Sequence, residues 1–295
     1  MKFKHFPIIS TIFLCCSCSA IRNVNSPAYR AGEPVSETAS EPDGIVEEVY
    51  YPSSEKKLSQ RRMIVYLPKD YYSSDRHYPV IYLLHGARGY ETSWIKKGDV
   101  LSLTDQLLLK GEIQDFILVM PNMNHYRNDK DCDNSRRKGA LESLLEVKGT
   151  VEYYFVHDVV NYIDSCYRTI PNKEDRAIAG LSIGGLQTIY ISACYPDMFD
   201  YIGMFSPFRK NFKPFGSYQK FYKSLKDKQA VQFENAPQDY FIGIGKADIF
   251  YGTVKKYRKY LERNHYPYEY METPGGHDWY NWVKYYNVFL TRCFK

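Results

Sequence analysis

The segment Gly180-Leu181-Ser182-Ile183-Gly184 constrains this chain more than any other stretch of it. It lies between a short predicted strand, Arg176 to Ala179, and residues with helical spacing. Gly-x-Ser-x-Gly in that context is typical of a tight turn that holds its serine in a strained conformation, because larger residues at the glycine positions would collide with neighbouring backbone. The segment therefore predicts a strand and a helix joined by a sharp turn, with Ser182 as a nucleophile.

Alternation of strands and helices predicts the rest of the fold. Continuous apolar runs such as Val80 to Leu84 are typical of strands that helices cover on both faces. We therefore predict an α/β fold with a mostly parallel central sheet and helices on both faces, whose site lies at the carboxyl ends of the strands. The predicted strands are Ile45 to Tyr51, Arg62 to Leu67, Val80 to Leu84, Phe116 to Met120, Arg176 to Ala179, Tyr201 to Phe205, Tyr240 to Ile244 and Tyr268 to Glu272, and the predicted helices include Val151 to Tyr167, Phe250 to Arg263 and Asp278 to Arg292.

The loop after the predicted strand Val80 to Leu84 contains two glycines that allow backbone to approach a substrate carbonyl. We predict that the backbone amides of Ala87 and Ile183 form the oxyanion hole, since the residue after a nucleophile supplies one of the two donors. His85 follows a buried strand directly. Its ring is expected to support the loop by hydrogen bonding rather than to act as a base.

A serine hydroxyl needs a base to take its proton, and His277 is the candidate. It stands in Pro274-Gly275-Gly276-His277-Asp278-Trp279, after the last predicted strand and before the last helix. Asp278 is expected to cap that helix.

The acid that orients the base is expected after the penultimate strand, where Asp248 follows Gly245-Lys246-Ala247. The chain order Ser182, Asp248, His277 is then nucleophile, acid, base. Glu272 and Asp239 remain open as alternative acids, although each lies in a strand or at its entry.

Composition bears on partners and cofactors. The chain has 39 basic and 34 acidic residues interspersed along it, for a net charge of +5, which argues against a nucleic-acid partner. The segment Asp129 to Asn134 copies the first half of a calcium loop, but Asn134 replaces the required glycine and Ala140 the required glutamate. No metal or cofactor is therefore expected.

The amino terminus is typical of a lipoprotein signal peptide. Lys2 and Lys4 precede the short apolar run Phe6 to Leu14, and the small residue Ser17 stands before Cys18. We predict a signal peptide over residues 1–18 with lipidation at Cys18, Cys16 being the alternative, a flexible tether over residues 19–44 and one domain over residues 45–295. The protein is then an exported bacterial lipoprotein, attached to a membrane through its lipid, in the periplasm or at the outer membrane or cell surface.

From Arg62 onward the chain resembles the Putative esterase family of the α/β-hydrolase superfamily, which contains esterase D, feruloyl and acetylxylan esterases of carbohydrate esterase family 1, enterochelin esterases and mycolyltransferases. The resemblance rests on Tyr82-Leu83-Leu84-His85-Gly86 with Trp94 downstream, on Tyr167-Arg168-Thr169, on the serine segment and its preceding strand, and on the segments that end at Asp248 and Trp279. Arg88 departs from the family, in which a small residue usually precedes Gly89.

The resemblance implies a serine carboxylesterase that forms an acyl-enzyme. With export, it favours removal of feruloyl or acetyl groups from plant-wall polysaccharide or oligosaccharide. A siderophore or other small-ester hydrolase is the alternative, and a catalytically silent glycan-binding lipoprotein is a further one. The residues proposed to contact substrate are Trp94, His125, Tyr126 and Arg127, the last three in the polar loop Pro121 to Gly149.

Overall fold

The computed structural model describes residues 22–23, 43–54, 59–124, 150–207 and 223–295. Nine strands in these residues form one sheet. They are β1 (Arg22–Asn23), β2 (Ile45–Pro52), β3 (Gln60–Leu67), β4 (Val80–Leu84), β5 (Ile117–Pro121), β6 (Arg176–Leu181), β7 (Tyr201–Phe205), β8 (Asp239–Gly245) and β9 (Glu269–Thr273).

The spatial order of the strands is β1-β2-β3-β5-β4-β6-β7-β8-β9. All pairs from β5 to β9 are parallel, and the pairs among β1, β2, β3 and β5 are antiparallel. The predicted mostly parallel sheet is confirmed. Because β4, β6, β7, β8 and β9 run in one direction, the loops that follow them meet at one edge of the sheet.

Helices cover both faces of the sheet. They are α1 (Ser93–Gly98), α2 (Val100–Leu109), α3 (Thr150–Tyr153), α4 (Asn161–Cys166), α5 (Ile183–Cys194), α6 (Leu225–Glu234), α7 (Tyr251–Arg263) and α8 (Trp279–Leu290).

The core has two layers, one on each face of the sheet. Alternate residues of β4 point to opposite faces, so Tyr82 and Leu84 join one apolar cluster while Ile81 and Leu83 join the other. The first cluster includes residues of α4, α5 and α7, and the second includes residues of α1, α2 and α8. Burial on both faces explains why the central strands are apolar throughout.

The predicted helix Val151 to Tyr167 is wrong in its continuity. The structure has α3, then a π turn over Val156–Val160, then α4. The Asp158 carboxylate in this turn accepts a hydrogen bond from the Ser54 amide at 2.8 Å, while Val159 and Val160 remain buried. The extra residue of a π turn lets the polar side chain reach Ser54, just beyond strand β2, without removing the apolar ones from the core.

Most of the predicted amino-terminal signal and tether, including Cys16 and Cys18, lies outside the described residues. Within the predicted tether, β1 pairs antiparallel with β2. In the part of the chain that the structure describes, no helix is both long and apolar enough to cross a bilayer.

Candidate active site

Ser182 occupies the turn between the central strand β6 and helix α5. Its φ and ψ are 54° and −113°, and its amide donates a hydrogen bond to the Phe205 carbonyl at 2.8 Å. A positive φ in a residue other than glycine costs of order 1–3 kcal/mol, which the surrounding structure must supply. The turn presents the serine at the positive end of α5, where negative charge is stabilised.

The glycines of the turn are required by close backbone contacts. A Cβ atom on Gly184 would lie 2.5 Å from the His85 carbonyl oxygen, and one on Gly180 would lie 2.6 Å from the Gly184 carbonyl carbon. Strand β6, helix α5 and the loop after β4 therefore approach closely only because these positions carry no side chain.

Ser182, His277 and Asp248 form one line of hydrogen bonds. His277 Nε2 lies 3.0 Å from Ser182 Oγ, and His277 Nδ1 lies 2.9 Å from Asp248 Oδ2. The three residues come from the loops after β6, β8 and β9, parallel strands that end at the same edge of the sheet, with β7 between β6 and β8. The structure thus brings together the three residues that the sequence predicts as nucleophile, acid and base.

The Asp248 carboxylate is wholly buried. Burial acts to raise the pKa of Asp248, but hydrogen bonds from His277 and from the Phe250 amide (2.8 Å) outweigh it and hold the pKa below its usual value. The carboxylate therefore stays ionised and accepts a hydrogen bond from the protonated Nδ1, which leaves Nε2 free to accept the serine proton.

The His277 ring is fixed by two aromatic neighbours. Phe250 and Trp282 each meet it edge to face, with ring centroids 4.9 Å away. Trp282 lies on α8, the helix that follows His277. The contact shows that the Trp282 side chain, which is buried, also restricts rotation of His277.

The predicted oxyanion donors lie where two loops converge. A Cβ atom on Gly86 would lie 3.5 Å from Ser182 Cβ, so the loop that carries Ala87 runs beside the serine. Among the residues that the structure describes, neither the Ala87 nor the Ile183 amide donates to another protein group. Both are therefore open to a substrate oxygen. Arg88, next to Ala87, is exposed and has a φ of 59°.

His85 links this loop to the one after β5. Its Nε2 accepts a hydrogen bond from the Met123 amide at 2.9 Å, so Nδ1 carries the proton and donates to the Gly86 carbonyl at 2.8 Å. Burial lowers the pKa of His85 to about 4, which keeps the ring neutral. The predicted supporting role of His85 agrees with these contacts.

A buried polar cluster under the same loop was not predicted. The Glu91 carboxylate, fully buried, pairs with Arg62 at 2.5 Å and accepts from the Asn122 side chain at 2.6 Å. Asn124 Nδ2 donates to the Gly89 carbonyl at 2.7 Å. In the sequence, Glu91 is visible only as a glutamate in a glycine-containing loop. Its partners could not be predicted because they come from β3 and from the loop after β5, which are distant in sequence.

The prediction that Trp94 contacts the substrate is corrected by its burial. Its side chain has no exposed surface, its Nε1 donates to the Leu84 carbonyl at 3.0 Å, and its ring packs edge to face on Trp279 at 5.2 Å. A buried indole of this kind does not contact a substrate. Trp94 instead supports β4, the strand that leads into the loop that carries Ala87. The other three proposed substrate contacts, His125, Tyr126 and Arg127, lie outside the described residues.

Both alternative acids are engaged elsewhere. Glu272 accepts hydrogen bonds from Tyr251 and Tyr270, and Asp239 pairs with Arg292 at 2.8 Å. Asp278 caps α8, as predicted, by accepting from the Asn281 amide at 3.0 Å. Asp248 is therefore the carboxylate that the fold places beside His277.

Comparison with known proteins identifies the family. The model of the family described as Putative esterase matches residues 54–288, which is most of the chain. The chain belongs to the Putative esterase family. This membership confirms the resemblance stated from the sequence.

Curated relatives match over part of the chain. An endo-1,4-beta-xylanase/feruloyl esterase of Xylanibacter ruminicola is 31% identical over 185 residues, which cover 61% of this chain and 22% of the relative. An esterase of Mycobacterium tuberculosis is 31% identical over 134 residues, which cover 44% of this chain and 25% of the relative. The matched regions thus span about a quarter of the length of these relatives.

Solved structures share the fold. A ferulic acid esterase superposes with a TM-score of 0.67 at 22% identity, covering 85% of this chain and 98% of the other. An S-formylglutathione hydrolase from Staphylococcus aureus gives 0.65 at 20% identity, covering 85% and 98%. The α/β-hydrolase fold predicted for this member of the Putative esterase family is confirmed.

Proposed function

We propose that this protein hydrolyses carboxylic esters through an acyl-enzyme formed on Ser182. The observation that carries the proposal is the line of hydrogen bonds from Ser182 through His277 to Asp248. His277 Nε2 takes the serine proton as Oγ attacks the ester carbonyl, and the Ala87 and Ile183 amides stabilise the negative charge on the carbonyl oxygen. His277 then returns the proton to the departing alcohol.

The second half of the reaction releases the acid. A water molecule attacks the acyl-enzyme carbonyl, His277 takes its proton, and the proton passes to Ser182 Oγ as the acyl–oxygen bond breaks. Asp248 remains ionised in both halves because its low pKa favours the carboxylate, and it stabilises His277 when the ring is positively charged.

For substrate, we propose feruloyl or acetyl esters of plant-wall polysaccharide or oligosaccharide. The relative named endo-1,4-beta-xylanase/feruloyl esterase supports this choice, as does the high Tyr content of the chain. Flat aromatic rings stack on sugars and on aromatic acyl groups. His125, Tyr126 and Arg127 remain our proposed sugar contacts, since the strand before them, β5, ends beside the strand that leads to the oxyanion loop.

We further propose that the protein is exported and anchored by a lipid on Cys18, with residues 19–44 as the tether. Support comes from the charged start, the short apolar run and the small residue before Cys18.

A panel of esters tests the substrate. We expect feruloylated or acetylated xylo-oligosaccharides to give a higher kcat/KM than methyl ferulate and short-chain esters, because contacts to the sugar act also in the transition state. Formylglutathione and a catecholate siderophore ester complete the panel. Preference for either of these two would refute the plant-wall substrate while retaining the esterase.

A further inference from the structure

The loops that carry Asp248 and His277 are joined by backbone hydrogen bonds. The Lys246 amide donates to the Thr273 carbonyl at 2.7 Å, and the Ala247 amide donates to the Gly275 carbonyl at 3.1 Å. These bonds fix the approach of the two loops but not the peptide directly before His277. That peptide follows two consecutive glycines, which offer the backbone more conformations than any other residue pair.

One buried side chain holds this peptide. Asn281, on α8 and without exposed surface, donates from Nδ2 to the Gly276 carbonyl at 2.8 Å. Its Oδ1 accepts from the Thr273 hydroxyl at 2.8 Å. The amide therefore ties the end of β9 to the residue that precedes His277. Gly275 has to be a glycine for this contact, because a Cβ there would lie 2.3 Å from Asn281 Nδ2.

The orientation of the Asn281 amide is set by a further hydroxyl. Burial raises the pKa of Tyr285 to about 12, so its phenol keeps a proton. Tyr285 is hydrogen-bonded to the Thr273 hydroxyl, whose own proton goes to Asn281 Oδ1. With Oδ1 bonded to the Thr273 hydroxyl, Nδ2 faces the Gly276 carbonyl, and a flipped amide would set Oδ1 against that carbonyl oxygen, which can only accept.

We propose that Asn281 is a positioning residue for His277: its amide fixes the Gly276 peptide and so directs His277 Nε2 at Ser182. This role rests on the proposed function of the triad. Because a displacement of about 1 Å between reacting groups costs of order 100-fold in rate, loss of the constraint lowers turnover without altering substrate contacts.

Two isosteric changes test the role. In Asn281→Asp the donor to Gly276 is replaced by an oxygen, and in Thr273→Val the hydroxyl that orients the amide is lost. We expect kcat to fall about 10- to 100-fold and KM to stay within about threefold, measured with 4-nitrophenyl acetate at least 15 °C below each variant's melting temperature. Labelling of Ser182 by a small fluorophosphonate should slow by the same factor. Thr273→Ser keeps the hydroxyl and should restore most of the turnover.

Thr104→Val is the matched control for lost stability. It removes a buried hydrogen bond between Thr104, on α2, and Tyr286. Tyr286 lies on α8, as Asn281 does, but away from the His277 loop. The proposal is overturned if Thr104→Val lowers kcat as much as Thr273→Val, or if Asn281→Asp and Thr273→Val both keep wild-type kcat. Should Asn281→Asp not fold, the Thr273→Val and Thr273→Ser pair decides alone. Ser182→Ala separates the two ideas: turnover at the wild-type rate refutes the triad, whereas an inactive Ser182→Ala with unimpaired Asn281→Asp and Thr273→Val refutes only the positioning role.

Discussion

At the scale of single residues, the protonation of each group in the site depends on its neighbour. Ser182 Oγ is activated only while His277 Nε2 lacks a proton, and that tautomer is set by the buried Asp248 carboxylate 2.9 Å from Nδ1. Phe250 and Trp282 prevent the ring from turning away. Each residue therefore acts through its neighbour, and their contributions are not additive.

Substitutions in the triad follow from this dependence. Ser182→Ala or His277→Ala should each remove nearly all turnover, and Asp248→Asn should lower kcat about 10³- to 10⁴-fold because it favours the wrong tautomer. Ester turnover and circular dichroism of the purified variants are the measurements. Glu272→Gln, whose side chain bonds Tyr251 and Tyr270, is the control that should keep its turnover. Wild-type kcat in Asp248→Asn would place the acid elsewhere.

A glycine pair tests the tightness of the nucleophile turn. Gly184→Ala would place Cβ 2.5 Å from the His85 carbonyl oxygen, and we expect a loss of about 1–3 kcal/mol or more in the free energy of unfolding. Gly252→Ala, in helix α7, meets nothing within 4 Å and should gain up to about 1 kcal/mol. Urea unfolding of both variants measures the contrast. Equal stability of the two would contradict the close approach.

At the scale of elements, the site depends on how the loops after β4 and β5 support each other. His85 bridges them through Gly86 and Met123, and the Glu91 cluster lies beneath the same loop. Taking one partner from a buried ion pair of this kind costs about 3–5 kcal/mol, because the other charge stays buried alone. The position of the Ala87 amide is thus set by buried polar contacts rather than by the loop itself.

His85 makes this support dependent on pH. Its pKa is about 4 in the folded protein and about 6.5 when unfolded, so between these values only the unfolded chain binds the proton. The free energy of unfolding should therefore fall as pH decreases from 6.5 to 4, by up to about 1.4 kcal/mol per pH unit. Above pH 6.5, His85 should add nothing to the pH dependence of stability. Urea unfolding at several pH values gives the free energy of unfolding as a function of pH, and its slope between pH 4 and 6.5 should be shallower for His85→Gln than for wild type. His265→Asn, at an exposed position, is the control, and parallel slopes for His85→Gln and wild type would contradict the assignment.

At the scale of the whole molecule, one sheet carries the site, and helices on both of its faces enclose the core. On one face of this sheet, the Asp43 amide donates to the buried Asp105 side chain on α2 at 2.9 Å. The carboxyl-terminal helix α8 covers the opposite part of the same face, and Arg292, just beyond it, pairs with Asp239 of β8.

The lipid anchor is tested on the full chain. If Cys18 is acylated, Cys18→Ala should release the protein from the membrane fraction with its ester turnover intact, because the change is far in sequence from the triad. Cys16→Ala is the matched control and should remain bound. Intact-mass analysis of the membrane fraction identifies the modified residue. An unmodified Cys18 and Cys16 in wild type would end the lipoprotein proposal.

Short-range pattern was sufficient for much of this protein. The strands were predicted from continuous apolar runs, Ser182 from its glycine-flanked segment, and Asp248 and His277 from their places in the loops after predicted strands. In a parallel sheet that position brings loops together regardless of their separation in sequence. The glycines around Ser182 were predicted from the motif alone, although the atom that a Cβ on Gly184 would meet is the His85 carbonyl oxygen of another loop.

Tertiary structure alone decided the rest, because side-chain burial and long-range partners leave little trace in sequence order. Trp94 looked like a substrate contact and is a core residue, since an aromatic ring after a glycine-rich loop serves either role until its neighbours are known. The role of Glu91 became visible from its contacts with Arg62 and Asn122. The role of Asn281 became visible from its contacts with Gly276 and Thr273. Sequence by itself determined which three residues were predicted to act together; only packing against other elements determined which residues hold them in place.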